Sequence, residues 1–163
     1  MNSSFNIRIR LASVDDAPAI ASLLSESFAE YKPLYTPDGY AATAITRDEV
    51  VSRIEEGPLW VAIREELIVG TVSVVPKGES LYIRGMAVLP TARGQRIGQL
   101  LFTHIERFAA SKRIRRLFLS TTPFLDRAIR LYESFGFRRI DEGPHDLFGT
   151  PLFTMEKVLS DKL

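Results

Sequence analysis

Alternation of hydrophobic and polar residues at the start of the chain predicts a strand, and the pattern then changes to helical spacing. Residues 6–11 alternate Ile7, Ile9 and Leu11 with two arginines, as in a strand with one buried face. After Ser13, apolar residues recur every three or four positions, which predicts a helix whose first turn carries two aspartates. The apolar face of this helix comprises Ala17, Ile20, Leu24 and Phe28.

The next segments predict a loop, a short helix and a three-stranded meander. Two prolines, a glycine and three tyrosines between Tyr31 and Tyr40 indicate an irregular loop or lid. Residues 46–56 have the pattern of a short helix that ends before Gly57. Strands are predicted at residues 59–64, 67–75 and 80–89, separated by short turns.

The second half of the chain alternates helices with strands. Apolar residues from Ile97 to Phe108 recur at helical spacing, which predicts a long amphipathic helix that starts at about Gln95. A strand over residues 115–122 follows, and Pro123 then opens another helix, which Gly136 ends. Late strands are predicted at residues 137–140 and 152–158.

Together these elements predict a mixed α/β sheet covered by helices. The order is β-α-α-β-β-β-α-β-α-β-β, so one strand–helix–strand crossover lies within a largely antiparallel set. A length of 163 residues suits one compact core, and no repeat or linker interrupts the pattern. We therefore expect residues 1–163 to form a single domain.

Composition excludes several classes of site. The chain has no cysteine, which removes disulfides, thiolate zinc sites and a cysteine acyl-enzyme. Its two histidines, His104 and His145, are far apart in sequence, so no metal site is expected. The apolar run at residues 67–76 is far shorter than the roughly 20 residues of a membrane-spanning helix, and the start lacks a signal-peptide pattern. We expect a cytoplasmic protein without a membrane partner.

Charge is balanced over the whole chain but not along it. The net charge of +1 gives no general signal for nucleic acid or acidic partners. Residues 91–116, however, contain seven arginines or lysines and a single acid, Glu106. These cations can bind phosphate, or they can simply lie near a helix C-terminus, where the dipole favours them. A nucleic-acid-binding domain depends on this stretch alone, and we expect no nucleic-acid partner.

The strand-to-helix turn at residues 86–98 has features of a phosphate-binding site. A helix begins with unpaired backbone N–H groups and the positive end of its dipole. Gly94 and Gly98 would let an anionic ligand approach the backbone closely. Neither the GxGxxG nor the GxxxxGK[ST] fingerprint is present. On these residues alone, an ordinary turn with two glycines is an open interpretation.

Two signatures in this half of the chain resemble those of one family. The segment Arg93-Gly94-Gln95-Arg96-Ile97-Gly98 is similar to the acetyl-CoA motif Q/R-x-x-G-x-G/A of the GNAT N-acetyltransferases. It follows a strand that ends Val88-Leu89-Pro90, like the V-x-P of that family. Residues 128–137, AIRLYESFGF, resemble the A-x-x-L-Y-x-x-x-G-F signature. Both signatures stand in the family's order, and the predicted elements match it from Ile7 to Val158.

The resemblance implies a GNAT-like fold, a mostly antiparallel twisted sheet of about seven strands with about four flanking helices. It implies an N-acetyltransferase that moves an acetyl group from acetyl-CoA to a primary amine by direct attack in a ternary complex. The pantetheine arm would run along the strand, with the thioester oxygen near the Val88 N–H, and the pyrophosphate would lie on the turn. The implied cofactor-binding residues are Met86, Ala87, Val88, Arg93, Gly94, Gln95, Arg96, Ile97, Gly98, Gln99 and Tyr132.

Tyr132 is the catalytic residue that the resemblance implies. A phenol with a pKa of about 10 can donate a proton to a leaving thiolate without ionising at neutral pH. Helical periodicity alone would instead place Tyr132 in the core, because it shares a face with apolar residues. No general base is predicted, since Arg84 stands where many relatives carry a glutamate. Arg96 and Leu125 also depart from the family, which prefers glycine and asparagine at those positions.

The acceptor site is expected between residues 28–40, the short helix after them and residues 145–150. Tyr31, Tyr35 and Tyr40 could form an aromatic wall for a cationic or flat substrate, or pack on their own domain. A small-molecule amine and a peptide both stay open as acceptors, as does a homodimer. The alternative function is a non-catalytic acyl-CoA-binding or sensing protein on the same fold, which the departures at Arg84 and Leu125 favour.

Overall fold

The computed structural model of the protein describes residues 6–159, which contain five α-helices and nine strands. The helices are α1 (Ala17–Phe28), α2 (Pro37–Thr43), α3 (Arg47–Glu56), α4 (Ile97–Ser111) and α5 (Asp126–Ser134). The strands are β1 (Arg8–Leu11), β2 (Leu59–Arg64), β3 (Leu67–Lys77), β4 (Ser80–Val88), β5 (Arg116–Thr121), β6 (Arg138–Ile140), β7 (Asp146–Leu147), β8 (Thr150–Pro151) and β9 (Phe153–Val158).

Seven strands form one sheet in the order β1-β2-β3-β4-β5-β9-β6. Neighbouring strands are antiparallel except β4 and β5, which run parallel and are connected through α4. The short strands β7 and β8 pair with each other as a separate hairpin. The predicted mixed α/β fold, with a mostly antiparallel sheet of seven strands, is therefore confirmed.

Apolar side chains fill both faces of this sheet. On one face, the sheet packs against α4 and α5 around Phe102, which is fully buried. On the other face, α1 and α3 cover the first strands, with Ile20 and Val50 at the centre of the contact. Each fully buried side chain of this size contributes about 1.5–3 kcal/mol to folding. Within the described chain, no helix has the length and apolar character needed to cross a bilayer.

A bulge at Gly85 reverses which face of the sheet the residues of β4 cover. Ile83 belongs to the core under α4, whereas Ala87 belongs to the core under α1 and α3. The pairing with β3 skips at this point, and Gly85 has a φ of +65°, which glycine adopts at low cost. Arg84 extends toward α3, on the opposite face from Ile83, and beyond the bulge Met86 packs on the α4 side.

Three element predictions need correction. The segment from Tyr31 to Tyr40, predicted as a loop, is largely helical, because a 3-10 turn (Ala29–Leu34) leads into α2, so the helices among the described residues number five rather than four. The Thr36 hydroxyl caps α2 by accepting from the Gly39 N–H at 3.0 Å. The long helix α4 starts at Ile97 rather than Gln95, because Arg96 has a left-handed backbone. Helix α5 starts at Asp126, three residues after the proline that was expected to open it.

Candidate active site

The strands β4 and β5 separate part-way along their length, and the separation opens a cleft through the sheet. Their parallel ladder comprises three residue pairs and ends at Tyr82 opposite Phe118. Beyond this pair, β4 continues to Val88 and β5 to Thr121 without pairing to each other. The side of β4 that faces β5 therefore offers main-chain groups to a ligand, as a free sheet edge does.

The cleft has a volume of about 920 Å³ and is bounded by elements from both faces of the sheet. The end of α1, the 29–34 turn and α3 line it on one face, and the start of α4 together with α5 lines it on the other. The volume lies at the upper end of the range for small-molecule sites, about 300–1,000 Å³. One extended ligand and a second, smaller one could meet where the two halves join.

The turn before α4 lines one end of the cleft with unpaired backbone amides. Within residues 6–159, the N–H groups of residues 94–99 donate no hydrogen bond, and the first backbone bond of α4 runs from the Leu100 N–H to the Arg96 carbonyl at 3.0 Å. Five of these six residues line the cleft; Gln95 does not. A row of free amides at the positive end of a 15-residue helix suits the oxygens of a phosphate group.

Gly94 and Arg96 share a backbone conformation that shapes this turn. Their φ angles are +86° and +63°, both in the left-handed region. A Cβ on Gly94 would meet nothing within 4 Å, so its surroundings are open toward the cleft. Arg96 holds the same type of conformation with a full side chain, which costs about 1 kcal/mol or more. The family preference for glycine at this position therefore follows from the backbone angle.

Gly98 has a packing role in addition to the cofactor-binding role that its place in the motif predicts. A Cβ on Gly98 would lie 2.7 Å from Leu131 Cδ2 and 3.6 Å from Met86 Cε. The glycine therefore allows α4 to pack closely against α5 at the wall of the cleft. It forms part of the lining, but packing between helices already explains why a small residue is needed there.

The lining of the cleft is strongly basic. Among residues 6–159, those that line it include six arginines and no aspartate, glutamate, histidine or lysine. These are Arg53, Arg84, Arg93, Arg96, Arg127 and Arg130. Such a lining attracts an anion, and a low-dielectric wall strengthens that attraction.

Two of these arginines are held in place by one carboxylate, that of Glu30. Arg93 Nη1 donates to Glu30 Oε1 at 2.8 Å, and Arg93 Nη2 donates to the Ser27 carbonyl at 3.4 Å. Arg127 Nη1 lies 3.9 Å from Glu30 Oε2 and donates to the Tyr31 hydroxyl at 3.3 Å. These contacts connect α5 and the α4 turn to the end of α1 across the cleft. Arg93 therefore positions the wall and is less free to bind a ligand than Arg96.

Tyr132 is both a core residue and a lining residue. Its ring is 7% exposed and packs edge-on against Phe102, with ring centroids 5.6 Å apart. Burial raises the pKa of the Tyr132 phenol far above its usual value, and the neighbouring Tyr35 adds to the shift. The hydroxyl therefore stays protonated across the physiological range and can act as a donor. The two interpretations of the sequence pattern are compatible, because the side chain reaches the cleft from within the core.

Two arginines face the cleft near the point where β4 and β5 separate. Arg84 lies two residues beyond the last paired residue and forms an ion pair with Glu56 of α3. Arg53 of α3 lies beside it, and burial together with the charge of Arg84 lowers the Arg53 pKa. An Nη atom of Arg53 would lie 2.9 Å from a Cβ on Gly85, so the guanidinium packs over the bulge.

Aromatic side chains form a further part of the cleft wall. Tyr31 and Tyr35 line it, both rings packing against Phe124, whereas Tyr40 packs against Tyr35 and lies outside the lining. Part of the predicted aromatic wall is thus present, and part of it is ordinary packing. The β7–β8 hairpin is attached here, because the Thr36 N–H donates to Thr150 Oγ1 at 2.9 Å.

The predicted cofactor residues converge on this one cleft, with a single exception. Ten of the eleven line it, including Met86, Ala87 and Val88 on the free side of β4. The exception is Gln95, whose side-chain oxygen accepts a 2.6 Å hydrogen bond from Arg64 on β2. Only the backbone of Gln95 is available to a ligand on the turn.

Some lining residues had no signal in the sequence pattern. Arg53 was not predicted, because it lies on a short surface helix and its neighbour Arg84 is 31 positions away in the chain. Arg130 stands within the second signature, on a position that the signature leaves open, and Arg127 lies just before it. The histidines are elsewhere: His104 packs against Trp60 with ring centroids 4.8 Å apart, and His145 lies outside the lining.

Leu125 and the end of β5 complete the wall opposite β4. Leu125 lines the cleft at the start of α5 and offers no polar cap to the helix. The buried Thr121 and Thr122 and their neighbour Ser120 also line it. Across residues 6–159, no group of three or more His, Cys, Asp and Glu side chains is arranged to hold a metal ion.

Comparison with known proteins agrees with this geometry. A sequence model of the acetyltransferase (GNAT) family matches residues 18–137. The uncharacterized N-acetyltransferase YjgM of Escherichia coli is 30% identical over 139 residues, which cover 82% of this chain and 83% of that protein.

Solved structures show the same fold at low sequence identity. The PaiA N-acetyltransferase of Thermoplasma acidophilum, crystallised in complex with coenzyme A, has a TM-score of 0.81 at 18% identity, over 94% of this chain and 99% of that one. A GNAT-family acetyltransferase of Staphylococcus aureus has a TM-score of 0.77 at 19% identity, with the same shares covered.

Proposed function

Because the chain belongs to the acetyltransferase (GNAT) family, we propose that it is an N-acetyltransferase that transfers an acetyl group from acetyl-CoA to a primary amine. The observation that carries the proposal is the row of unpaired amides at residues 94–99, at one end of a basic cleft that leads to the buried hydroxyl of Tyr132. When bound, acetyl-CoA would supply an activated acyl group as a thioester.

The chain's own residues fit such a ligand. The amides of the turn and the guanidinium of Arg96 would hold its phosphates, with Arg130 as a further cation. The free side of β4 from Met86 to Val88 would hold the pantetheine arm through main-chain hydrogen bonds. The carbonyl of Val88 already accepts from the buried Ser27 hydroxyl at 3.2 Å, which fixes the end of the strand.

Near the reacting centre, two groups of the chain would act on the acetyl transfer. The Val88 N–H would stabilise the oxyanion that forms when the amine attacks the thioester carbon. The hydroxyl of Tyr132 would donate to the sulfur that leaves. Direct attack is the economical route, because the chain has no cysteine and no GxSxG elbow to form an acyl-enzyme.

No residue of the lining is a conventional general base. Among the described residues, neither a carboxylate nor a histidine lines the cleft. The amine would therefore enter as the neutral form or lose its proton to water. A reaction of this kind would not need a glutamate at position 84, where this chain has Arg84.

The same observation favours a second candidate, a non-catalytic protein that binds or senses acyl-CoA. Arg84 in place of a glutamate, and a lining without a base, are what such a protein would show. The two candidates share the cofactor half of the cleft and differ in turnover. The single domain over residues 1–163, a homodimeric state and a cytoplasmic location stay predictions from the sequence.

Release of the CoA thiol tests the proposal. Purified protein is given acetyl-CoA and a panel of amines, and acetylated product is measured by mass spectrometry alongside free thiol. Transfer predicts equal amounts of the two products with at least one amine. Tight binding of acetyl-CoA without acetylated product from any amine favours the sensing protein, and thiol without acetylated amine indicates hydrolysis.

A further inference from the structure

Building on the proposed function, we propose that the amine acceptor carries an oxyanion, a carboxylate or a phosphonate, that binds between Arg53 and Arg84. These residues lie at the closed end of the cleft, near the point where β4 and β5 separate. Three observations support this proposal: the unpartnered state of Arg53 among the described residues, the half-satisfied state of Arg84, and their shared position.

Arg53 is a largely buried cation that interacts with the carboxylates of Glu49 and Glu56 only through longer-range charge. Within residues 6–159, its guanidinium takes part in no hydrogen bond and no ion pair, although it faces the cleft. Burial of an unpaired charge is costly, and a second cation, Arg84, adds repulsion. A guanidinium kept in this state is suited to an anion that arrives with a ligand, because its fork of donors matches two oxygens.

Arg84 has hydrogen-bond donors that no described residue accepts. One of its terminal nitrogens is paired with Glu56, whose side chain is 53% exposed, whereas its Nε is buried without a hydrogen-bond partner. The opposite residue of β3, Ser73, also has a buried hydroxyl without a partner. Among the described residues, Glu56 contacts only Arg84, and Glu56 and Glu49 act on Arg53 through longer-range charge alone, so the guanidinium of Arg53 keeps its hydrogen-bond donors free.

The position of the pair assigns the oxyanion to the acceptor rather than to the cofactor. The phosphate-binding turn lies at the far end of the cleft, and β4 runs from Arg84 to Val88 before it reaches that turn. Arg84 also extends to the α3 face of the sheet, whereas Tyr132 belongs to the α4 and α5 face. An acceptor that enters from the α3 face would meet the arginines on its way to the thioester.

The β7–β8 hairpin and the end of α2 also line the cleft, which favours a small acceptor. The hairpin of β7 and β8 is hydrogen-bonded to the start of α2, with Thr36 Oγ1 donating to the Phe148 carbonyl at 2.8 Å. Leu147 from the hairpin and Thr43 from α2 both line the cleft. An amino acid or an aminoalkylphosphonate presents an amine and an oxyanion within a compact molecule that fits such a space.

The experiment compares acceptors that differ only in charge. Steady-state kcat/KM is measured for α-, β- and γ-amino acids, for the corresponding neutral primary amides, and for aminoalkylphosphonates. Since a hydrogen bond to a charged group contributes strongly, we expect the better anionic acceptor to exceed its neutral partner by about 10- to 100-fold. The faster of the carboxylate and phosphonate series identifies the source of the oxyanion.

Variants locate this preference in the structure. In Arg53→Gln and Arg84→Gln the anionic and neutral acceptors should become nearly equal, mainly through KM of the anionic one. Arg47→Gln serves as the matched control, because Arg47 lies on the same helix, is 65% exposed and is outside the cleft. This control should keep the full preference.

The outcomes separate this inference from the proposed function. Equal kcat/KM for charged and neutral acceptors would overturn the inference while transfer itself stands. If no amine is acetylated, equilibrium binding of an N-acetylated amino acid and of its amide to the CoA complex decides instead. Tighter binding of the anionic product that is lost in Arg53→Gln supports the inference, and equal binding overturns it. If neutral amines are acylated faster from succinyl-CoA than from acetyl-CoA, the arginines bind an oxyanion on the acyl group instead of one on the acceptor. This result would also contradict the inference.

Discussion

Arg84 of β4 and Glu56 of α3 form an ion pair that connects the sheet to the helix at the closed end of the cleft. Hydrogen bonding to Arg84 lowers the pKa of Glu56, which keeps this carboxylate charged. The adjacent Arg53 gains no such partner from residues 6–159. The unpaired guanidinium of Arg53 therefore lowers the stability of the folded protein at the closed end of the cleft, as is common at binding sites.

Replacing Arg53 by methionine should stabilise the protein without ligand. Methionine keeps much of the volume and the unbranched shape while removing the buried charge and its repulsion with Arg84. We expect the free energy of unfolding, measured by urea titration, to rise by about 1 kcal/mol. Arg47→Met, on the exposed side of α3, should leave it nearly unchanged. A loss of stability in Arg53→Met would show that the guanidinium is already compensated.

Replacing Arg96 by glycine should relieve backbone strain at the start of α4. The φ of +63° is unfavourable for arginine and easy for glycine, so we expect a gain in unfolding free energy of about 1 kcal/mol. Arg107→Gly is the matched control, because this exposed arginine lies inside the helix, where glycine costs about 1 kcal/mol. The two substitutions should thus have opposite signs. A destabilised Arg96→Gly would mean that the side chain supports the turn.

A large residue at Gly98 should disturb packing between helices before it disturbs a ligand. A Cβ there would lie 2.7 Å from Leu131 Cδ2, so Gly98→Leu overpacks the contact between α4 and α5. We expect a loss of about 1–3 kcal/mol in unfolding free energy. The double variant Gly98→Leu/Leu131→Ala should recover part of this loss. If Gly98→Leu alone keeps full stability while losing CoA binding, the glycine serves the ligand directly.

Replacing Tyr132 by phenylalanine should separate catalysis from binding. The ring contact with Phe102 is retained, so the fold and the affinity for CoA should change little. Turnover should fall by about 10²- to 10⁴-fold, the usual contribution of a positioned proton donor. The measurement is kcat alongside the Kd of CoA. Unchanged kcat would exclude the phenol from the reaction.

The same substitution predicts a change in alkaline stability. Burial raises the Tyr132 pKa in the folded chain, whereas the unfolded chain releases this proton at pH near 10. Above that pH the folded chain binds more protons, so wild-type stability falls with rising pH, by up to about 1.4 kcal/mol per pH unit for this group. Tyr132→Phe lacks this contribution, although Tyr35, whose pKa burial also raises, acts in both proteins. Parallel stability curves from pH 9 to 11 would contradict the burial of the hydroxyl.

Local sequence patterns predicted the sheet and most of the helices because they are set by alternation and helical spacing. The error at α2 arose from reading two prolines and a glycine as loop signals, although Thr36 followed by Pro37 is also a typical helix start. The departure from the family pattern at Arg96 was informative, since it marked a residue with a left-handed backbone.

The acceptor end of the site could not be predicted in the same way. Arg53 and Arg84 come together only because α3 packs on the sheet where a bulge redirects β4. Gln95 shows that a motif position does not predict where its side chain lies, because the Gln95 side chain accepts a hydrogen bond from Arg64 and lies outside the lining of the cleft. Motif positions therefore located the backbone of the cofactor site better than they located its side chains.

Calorimetric titration with CoA tests the central claim most directly. We expect a Kd on the order of micromolar for the wild type and for Arg107→Glu, which lies outside the cleft. Arg130→Glu, which reverses a charge in the lining, should weaken binding by about tenfold or more, and added salt should reduce the difference. Absence of binding to the folded wild-type protein, or equal binding by the two glutamate variants, would contradict the placement of the cofactor in this cleft.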